Sequence, residues 1–81
     1  MSEHKVNQAI LALKQISTDT TIPKSIIQRV EHTIKLLEAK EEIPIKISKA
    51  LTEIEEITFD NNIESMTRTQ LFNISTILEI I

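Results

Sequence analysis

The sequence predicts an all-α protein: four antiparallel helices forming two repeated helical hairpins, packed as a HEAT-like pair or as a closed four-helix bundle. Three observations predict it. Apolar residues recur at steps of three and four, so they line single helical stripes and not the two faces of strands. The 81 residues contain no glycine and two prolines, and both prolines fall where a helix can begin. The chain also aligns with itself at an offset of 41 residues. Isoleucine is the commonest apolar residue and by propensity favours strands, but that preference is weak and the period outweighs it.

In the first predicted helix, from about Glu3 to Ser17, the stripe is Val6, Ala9, Ile10, Leu13 and Ile16. Thr18-Asp19-Thr20-Thr21 ends it. Pro23 then opens the second helix at its first turn, where a missing N–H goes unnoticed, and the helix runs to about Lys40. Its stripe is Ile26, Ile27, Val30, Ile34 and Leu37 with Leu36 beside it, and Lys35 and Lys40 suit the negative end of the helix dipole. Glu41-Glu42-Ile43-Pro44 is the next connection, because the residue before proline is pushed away from helical angles. The third helix starts at Pro44 and ends near Thr58, with Ile47, Ala50, Leu51, Ile54 and Ile57 inward. Phe59 to Ile63 form a loop in which Asn61 and Glu64 have the spacing of a capping box. The last helix follows, burying Leu71, Ile74, Ile77, Leu78 and Ile81. The whole is one domain, residues 1–81, with hairpin repeats at about 3–40 and 44–81.

The offset of 41 superimposes Lys5 on Lys46, Ala9 on Ala50, Ile16 on Ile57, Asp19 on Asp60, Ile22 on Ile63, Leu37 on Leu78 and Glu38 on Glu79. Conservative apolar pairs such as Val6 with Ile47 and Val30 with Leu71 fall in register. Periods near 40 belong to helical-pair repeats, in which one hairpin cannot bury its face alone. The repeated Asp19 and Asp60 could be paired carboxylates for acid–base work or a metal. A repeated residue at a repeated turn is better read as turn chemistry, an Asp accepting backbone N–H bonds.

Much chemistry is excluded outright. Without cysteine there are no disulfides, thiolate nucleophiles or zinc fingers. Without glycine there are no P-loops, Rossmann turns or nucleophile elbows, all of which need a backbone that can approach a phosphate or take positive φ. His4 and His32 lack a Glu or His three or four residues away, so neither begins a metal site, and no histidine completes a triad. We therefore expect no enzyme, no catalytic residue, no cofactor and no metal. A net charge of −3 disfavours direct nonspecific nucleic-acid binding. No apolar run approaches the roughly 18–20 residues of a membrane span, and Met1-Ser2-Glu3-His4-Lys5 lacks the layout of a signal peptide, so the expected location is cytoplasmic.

The string Asp19-Thr20-Thr21-Ile22-Pro23-Lys24-Ser25-Ile26 with Arg29, followed by Asp60-Asn61-Asn62-Ile63 with Arg68, resembles uncharacterised protein family 0147, a group of small archaeal proteins. The resemblance covers about Val6 to Leu78. It implies an all-helical fold, an archaeal source and a cytoplasmic location, and it brings no activity and no catalytic residues. Glu64 stands where the family tends to have proline, and Gln28 where a basic residue is expected.

What remains is association. Ile27, Leu36, Ile43, Ile45, Phe72 and Ile80 lie at the margins of the main stripes or outside them, too many to hide in a chain this short, so an exposed apolar patch is expected, with the segment Ile77 to Ile81 as its edge. Of the two aromatic residues, Phe59 is expected as a plug under the third loop; Phe72 is expected to flank the core or, failing that, to meet a partner. Residues 1–40 are net basic and 41–81 net acidic, a polarity read first as solvated surface and second as an aid to docking. The sequence thus points to a non-enzymatic module that binds a protein partner or another copy of itself. Ile27, Arg29, Arg68 and Phe72, on the second and fourth helices, are the candidate partner-binding residues. The alternative is an accessory factor of a ribonucleoprotein, or of a transcription or translation complex, touching RNA through Lys24, Arg29, Lys35 and Lys40. A small-molecule or metal site around Asp19 and Asp60 ranks below both.

Overall fold

A chain without glycine must stop its helices by other means, and the first and third helices use hydroxyls and an aspartate. At the end of the first helix, Ser17 Oγ donates to Lys14 O at 2.8 Å and Thr18 Oγ1 to Gln15 O at 2.8 Å, covering carbonyls that lack a helical partner. Thr58 Oγ1 does the same for Glu55 O at 2.7 Å at the end of the third. Each helix is followed by an aspartate whose Oδ1 accepts the backbone N–H two residues on: Thr21 to Asp19 at 2.9 Å and Asn62 to Asp60 at 2.8 Å. No described residue needs positive φ.

The computed structural model describes residues 2–79, which contain four α-helices and no strand: α1 Ser2–Ser17, α2 Lys24–Glu38, α3 Ile43–Thr58 and α4 Ser65–Glu79. Adding 41 to the bounds of α1 and α2 gives those of α3 and α4. The core follows the same rule. Val6 and Ile47, Ala9 and Ala50, Leu13 and Ile54, Ile16 and Ile57, Val30 and Leu71, and Leu37 and Leu78 are all buried.

The helices pack in a ring. α1 packs against α2 and α4, and α3 also packs against α2 and α4; α1 and α3 touch across the middle, while α2 and α4 do not among the described residues. Exchanging the two halves leaves this set of contacts unchanged. Ala9 and Ala50, the smallest core side chains, lie on the two helices that touch across the middle, and both are fully buried. The turns after α1 and α3 meet at one end, where Thr21, Ile22 and Pro23 share a small cavity with their counterparts Asn62, Ile63 and Glu64. The radius of gyration, 11.7 Å, is that of a compact chain of this length, about 12 Å.

Several boundaries differ from the sequence reading. Pro23 is the residue before α2, not within its first turn; its ψ of 144° is extended, and its carbonyl accepts the N–H groups of Ile26 and Ile27. α2 stops at Glu38, short of Lys40, because Ala39 turns to ψ 155°. α3 starts one residue before Pro44, with Glu42 O accepting from Ile45 and Lys46. The Asn61–Glu64 capping box does not form, because α4 begins at Ser65 and Glu64 occupies the cap position itself.

The aromatic expectation is overturned. Phe59 is 77% exposed and Phe72 66% exposed, so neither is core. Position explains both: Phe59 follows the last residue of α3, in the turn, and Phe72 lies about 200° around its helix from the buried Ile74. Ile10, Leu51 and Ile77, predicted as stripe residues, are only partly buried. Ile80 and Ile81 lie outside the described residues. Three buried residues escaped the sequence reading: Thr33, Thr67 and Ile63, which was expected only as a loop residue. Thr33 Oγ1 is satisfied by donating to Arg29 O at 2.9 Å.

Candidate functional site

Because the halves repeat, every groove between helices has a counterpart, and the differences between counterparts locate the specialised surfaces. The groove between α2 and α3 is filled by charge. Arg29, on the exposed flank of the α2 stripe, reaches across so that Nε donates to Glu53 Oε1 at 3.2 Å and Nη2 to Glu56 Oε1 at 3.3 Å, with Nη1 at 3.9 Å from Asp60 Oδ2. The i, i+3 spacing of Glu53 and Glu56 puts both acids on one face of α3, which is why a single guanidinium meets both. His32 Nδ1 stands 4.0 Å from the other oxygen of Glu53.

Arg68 is also engaged within the protein. Its Nε donates to Thr58 O at 2.9 Å and its Nη2 to Asp60 O at 3.4 Å, so a cation covers carbonyls at the end of α3, where the helix dipole is negative. Of the four candidate partner-binding residues, Arg29 and Arg68 thus converge on the segment around Asp60 and tie α2 and α4 to it, Ile27 is half-buried, and Phe72 alone is broadly exposed. The basic residues proposed for RNA do not form one face. Lys24 and Lys35 are in register on α2, Arg29 is turned about 140° from Lys24 and faces acids, and Lys40 lies beyond the helix end.

Phe72 has a companion that the sequence reading assigned to the core. Phe59 and Phe72 line one groove between α3 and α4, with Leu51 beside them and Glu55 and Glu79 among its polar residues. The side chain of Phe59 projects from the turn immediately after α3, and that of Phe72 from the outer side of α4. The counterpart groove, between α1 and α2, has a different character. There Thr18 and Glu31 stand at the positions of Phe59 and Phe72, and Lys14 Nζ bridges to Glu38 Oε2 at 3.5 Å across the opening. The duplicated scaffold therefore presents a charged groove in one half and an aromatic one with acidic neighbours in the other. The signal for Phe59 was available in the sequence: position 59 aligns with Thr18, a turn residue, and not with any core position.

Asp19 and Asp60 close their own turns and face different grooves: Asp60 faces Arg29, and Asp19 borders the groove between α1 and α4. The Thr21 hydroxyl, at 2.6 Å from Asp19 Oδ1, and then the Thr21 backbone N–H hold the Asp19 carboxyl below the ordinary aspartate range. Among the described residues no three His, Asp or Glu side chains gather in a way that could hold a metal, and no helix is long and apolar enough to cross a membrane.

Comparison with known proteins gives one answer. The model of the uncharacterised protein family UPF0147 matches residues 1–81. A UPF0147 protein of Metallosphaera sedula is 32% identical over 81 residues, covering 99% of this chain and 91% of its own length. One from Pyrococcus furiosus is 35% identical over 79 residues, covering 95% of this chain and 85% of its own, and one from Thermoplasma volcanium is 29% identical over 80. No solved structure gives a significant match. These relatives are archaeal proteins, and the chain belongs to the uncharacterised protein family UPF0147.

Proposed function

We propose that this protein is a non-enzymatic, cytoplasmic interaction module that docks a partner protein through the α3/α4 groove, with Phe59 and Phe72 as the apolar anchors. The observation that carries this reading is the pair of exposed phenylalanines in one groove, at positions where the other half has Thr18 and Glu31. Aromatic side chains exposed together on a small domain are the residues that dominate protein interfaces. Glu55 and Glu79 favour a partner that presents an apolar side chain flanked by lysine or arginine. They also disfavour pairing of this face with itself, since two copies would set acids against acids. Ile27, Arg29 and Arg68 then contribute by holding the helices in place, and Phe72 by contact.

The scaffold reading that accompanies this function is a closed antiparallel four-helix bundle, in preference to an open HEAT-like stack. The ring of helix contacts supports it, because a translational stack of two hairpins would leave α1 and α4 on opposite outer faces. A closed ring has no uncapped terminal faces, so the partner surface is sought in a groove, and the one that brings two exposed aromatic side chains together is the candidate.

The test is native co-purification of wild type and of a Phe59→Ser, Phe72→Ser variant, each with and without nuclease. Leu11→Ser, which alters another exposed apolar residue (61% exposed, on α1), is the control. The reading requires a nuclease-resistant protein partner that the control retains and the double variant loses. Partners that vanish with nuclease from all three samples would replace it with the ribonucleoprotein reading.

A further inference from the structure

The groove between α1 and α4 is the counterpart of the one that Arg29 fills, and it stands open. Its cavity of about 240 Å³ is lined by Ala12, Gln15, Asp19, Gln70, Asn73 and Ile77 over the buried Ile16 and Ile74. Each residue answers, 41 positions away, to a member of the filled groove: Gln70 stands for Arg29, Ala12 for Glu53, Gln15 for Glu56, Asp19 for Asp60 and Asn73 for His32. The groove that lacks the arginine also lacks two of the three acids and keeps one. Asp60 uses Oδ1 to close its turn and turns Oδ2 toward the guanidinium. Asp19 likewise uses Oδ1 for Thr21, and among the described residues no cation lies within ion-pair distance of it.

We propose that the α1/α4 cavity binds a guanidinium group carried on a short aliphatic stem, with Asp19 Oδ2 as its charge partner and the side-chain amides of Gln15, Gln70 and Asn73 around it. The apolar floor of Ile16, Ile74 and Ile77 takes the stem, as an arginine lays its methylenes on apolar surface while its head stays polar. The cavity is smaller than the roughly 300–1,000 Å³ of drug-sized ligand sites, which suits one side chain or a small cation. Amide oxygens accept the guanidinium N–H groups that Asp19 does not reach. The site is separate from the α3/α4 groove and does not depend on the docking reading.

The experiment is an NMR titration of the full chain, following backbone amides and the side-chain NH2 signals of Gln15, Gln70 and Asn73. The probes are N-acetylarginine methylamide, its uncharged isostere N-acetylcitrulline methylamide, and butylguanidinium. Saturable binding in the millimolar range, confined to this groove and about 3–5-fold weaker for citrulline, is expected for one exposed carboxylate. If butylguanidinium binds as well as the arginine probe, the group and stem suffice. If only the arginine probe binds, the ligand is an arginine within a peptide chain. Asp19→Asn, which keeps an acceptor for the turn, should abolish the preference for arginine over citrulline. Ala12→Glu with Gln15→Glu restores the acids of the other groove and should tighten binding about tenfold. Gln70→Arg should close the site from within and remove binding. Circular dichroism checks that each variant is folded. Shifts scattered over the surface, no saturation, or an arginine preference that survives Asp19→Asn would overturn the proposal.

Discussion

Replacing Arg29 by glutamine would give the α2/α3 groove the residue found at Gln70 in the other half, and its cost can be worked from the contacts. Arg29 is 33% exposed and Glu53 19%, so their 3.2 Å pair is partly desolvated, and a hydrogen bond to a charged group in such a setting is worth about 1–2 kcal/mol. Glu56 is 61% exposed and its pair adds about 0–0.5 kcal/mol, while the 3.9 Å approach to Asp60 adds little. Glutamine would also leave three carboxylates without their cation. Arg29→Gln should therefore destabilise by about 2 kcal/mol, lowering Tm by roughly 8–16 °C for a domain of this size. Urea melts of Arg29→Gln, Glu53→Gln and the double variant should give a coupling of about 1 kcal/mol that shrinks as salt is raised. A loss below about 0.5 kcal/mol, or no coupling to Glu53, would refute the reasoning that this cluster clasps α2 to α3.

Three further outcomes follow from the same structure. Asp19 has a lowered pKa in the folded state, so its stabilising contribution is present above its unfolded value, 3.8, and is lost as pH falls through the folded value; Asp19→Asn should flatten the acid limb of stability measured by thermal melts from about pH 2 to 6. Thr33 is fully buried and its hydroxyl bonds a carbonyl within its own helix, so Thr33→Val should lie within about 1 kcal/mol of wild type, and Thr33→Ser, which removes a buried methyl, should be the less stable of the two in urea. Ala50→Ile forces a larger side chain into a fully buried position on a helix of the close α1/α3 contact and should cost about 1–3 kcal/mol, read as a shifted denaturation midpoint with unchanged helical circular dichroism.

The helices, their order and most of the core were legible because the apolar stripes are regular and nearly all aliphatic. The 41-residue offset was legible too, and the structure extends it from identities to helix bounds, turn hydrogen bonds and grooves. Burial was misread where residue type and position disagree. Thr33 and Thr67 are polar by type, yet the offset sets them opposite Ile74 and Ile26, both core. Phe59 is apolar by type, yet it sits opposite Thr18 in a turn. Arg29 and Arg68 resembled surface cations because their partners, Glu53 and the carbonyl of Thr58, lie 24 and 10 residues away in sequence. Which of the two grooves between the halves is filled and which stands open required side-chain geometry.

The most direct test of docking through the aromatic groove is site-specific photocrosslinking in the source cell, with a photoreactive phenylalanine analogue at position 72 and, separately, at position 11. The account predicts a discrete protein adduct from position 72 that survives nuclease, and none of comparable yield from position 11. Equal adducts from both positions, an adduct removed by nuclease, or none from position 72 would contradict it.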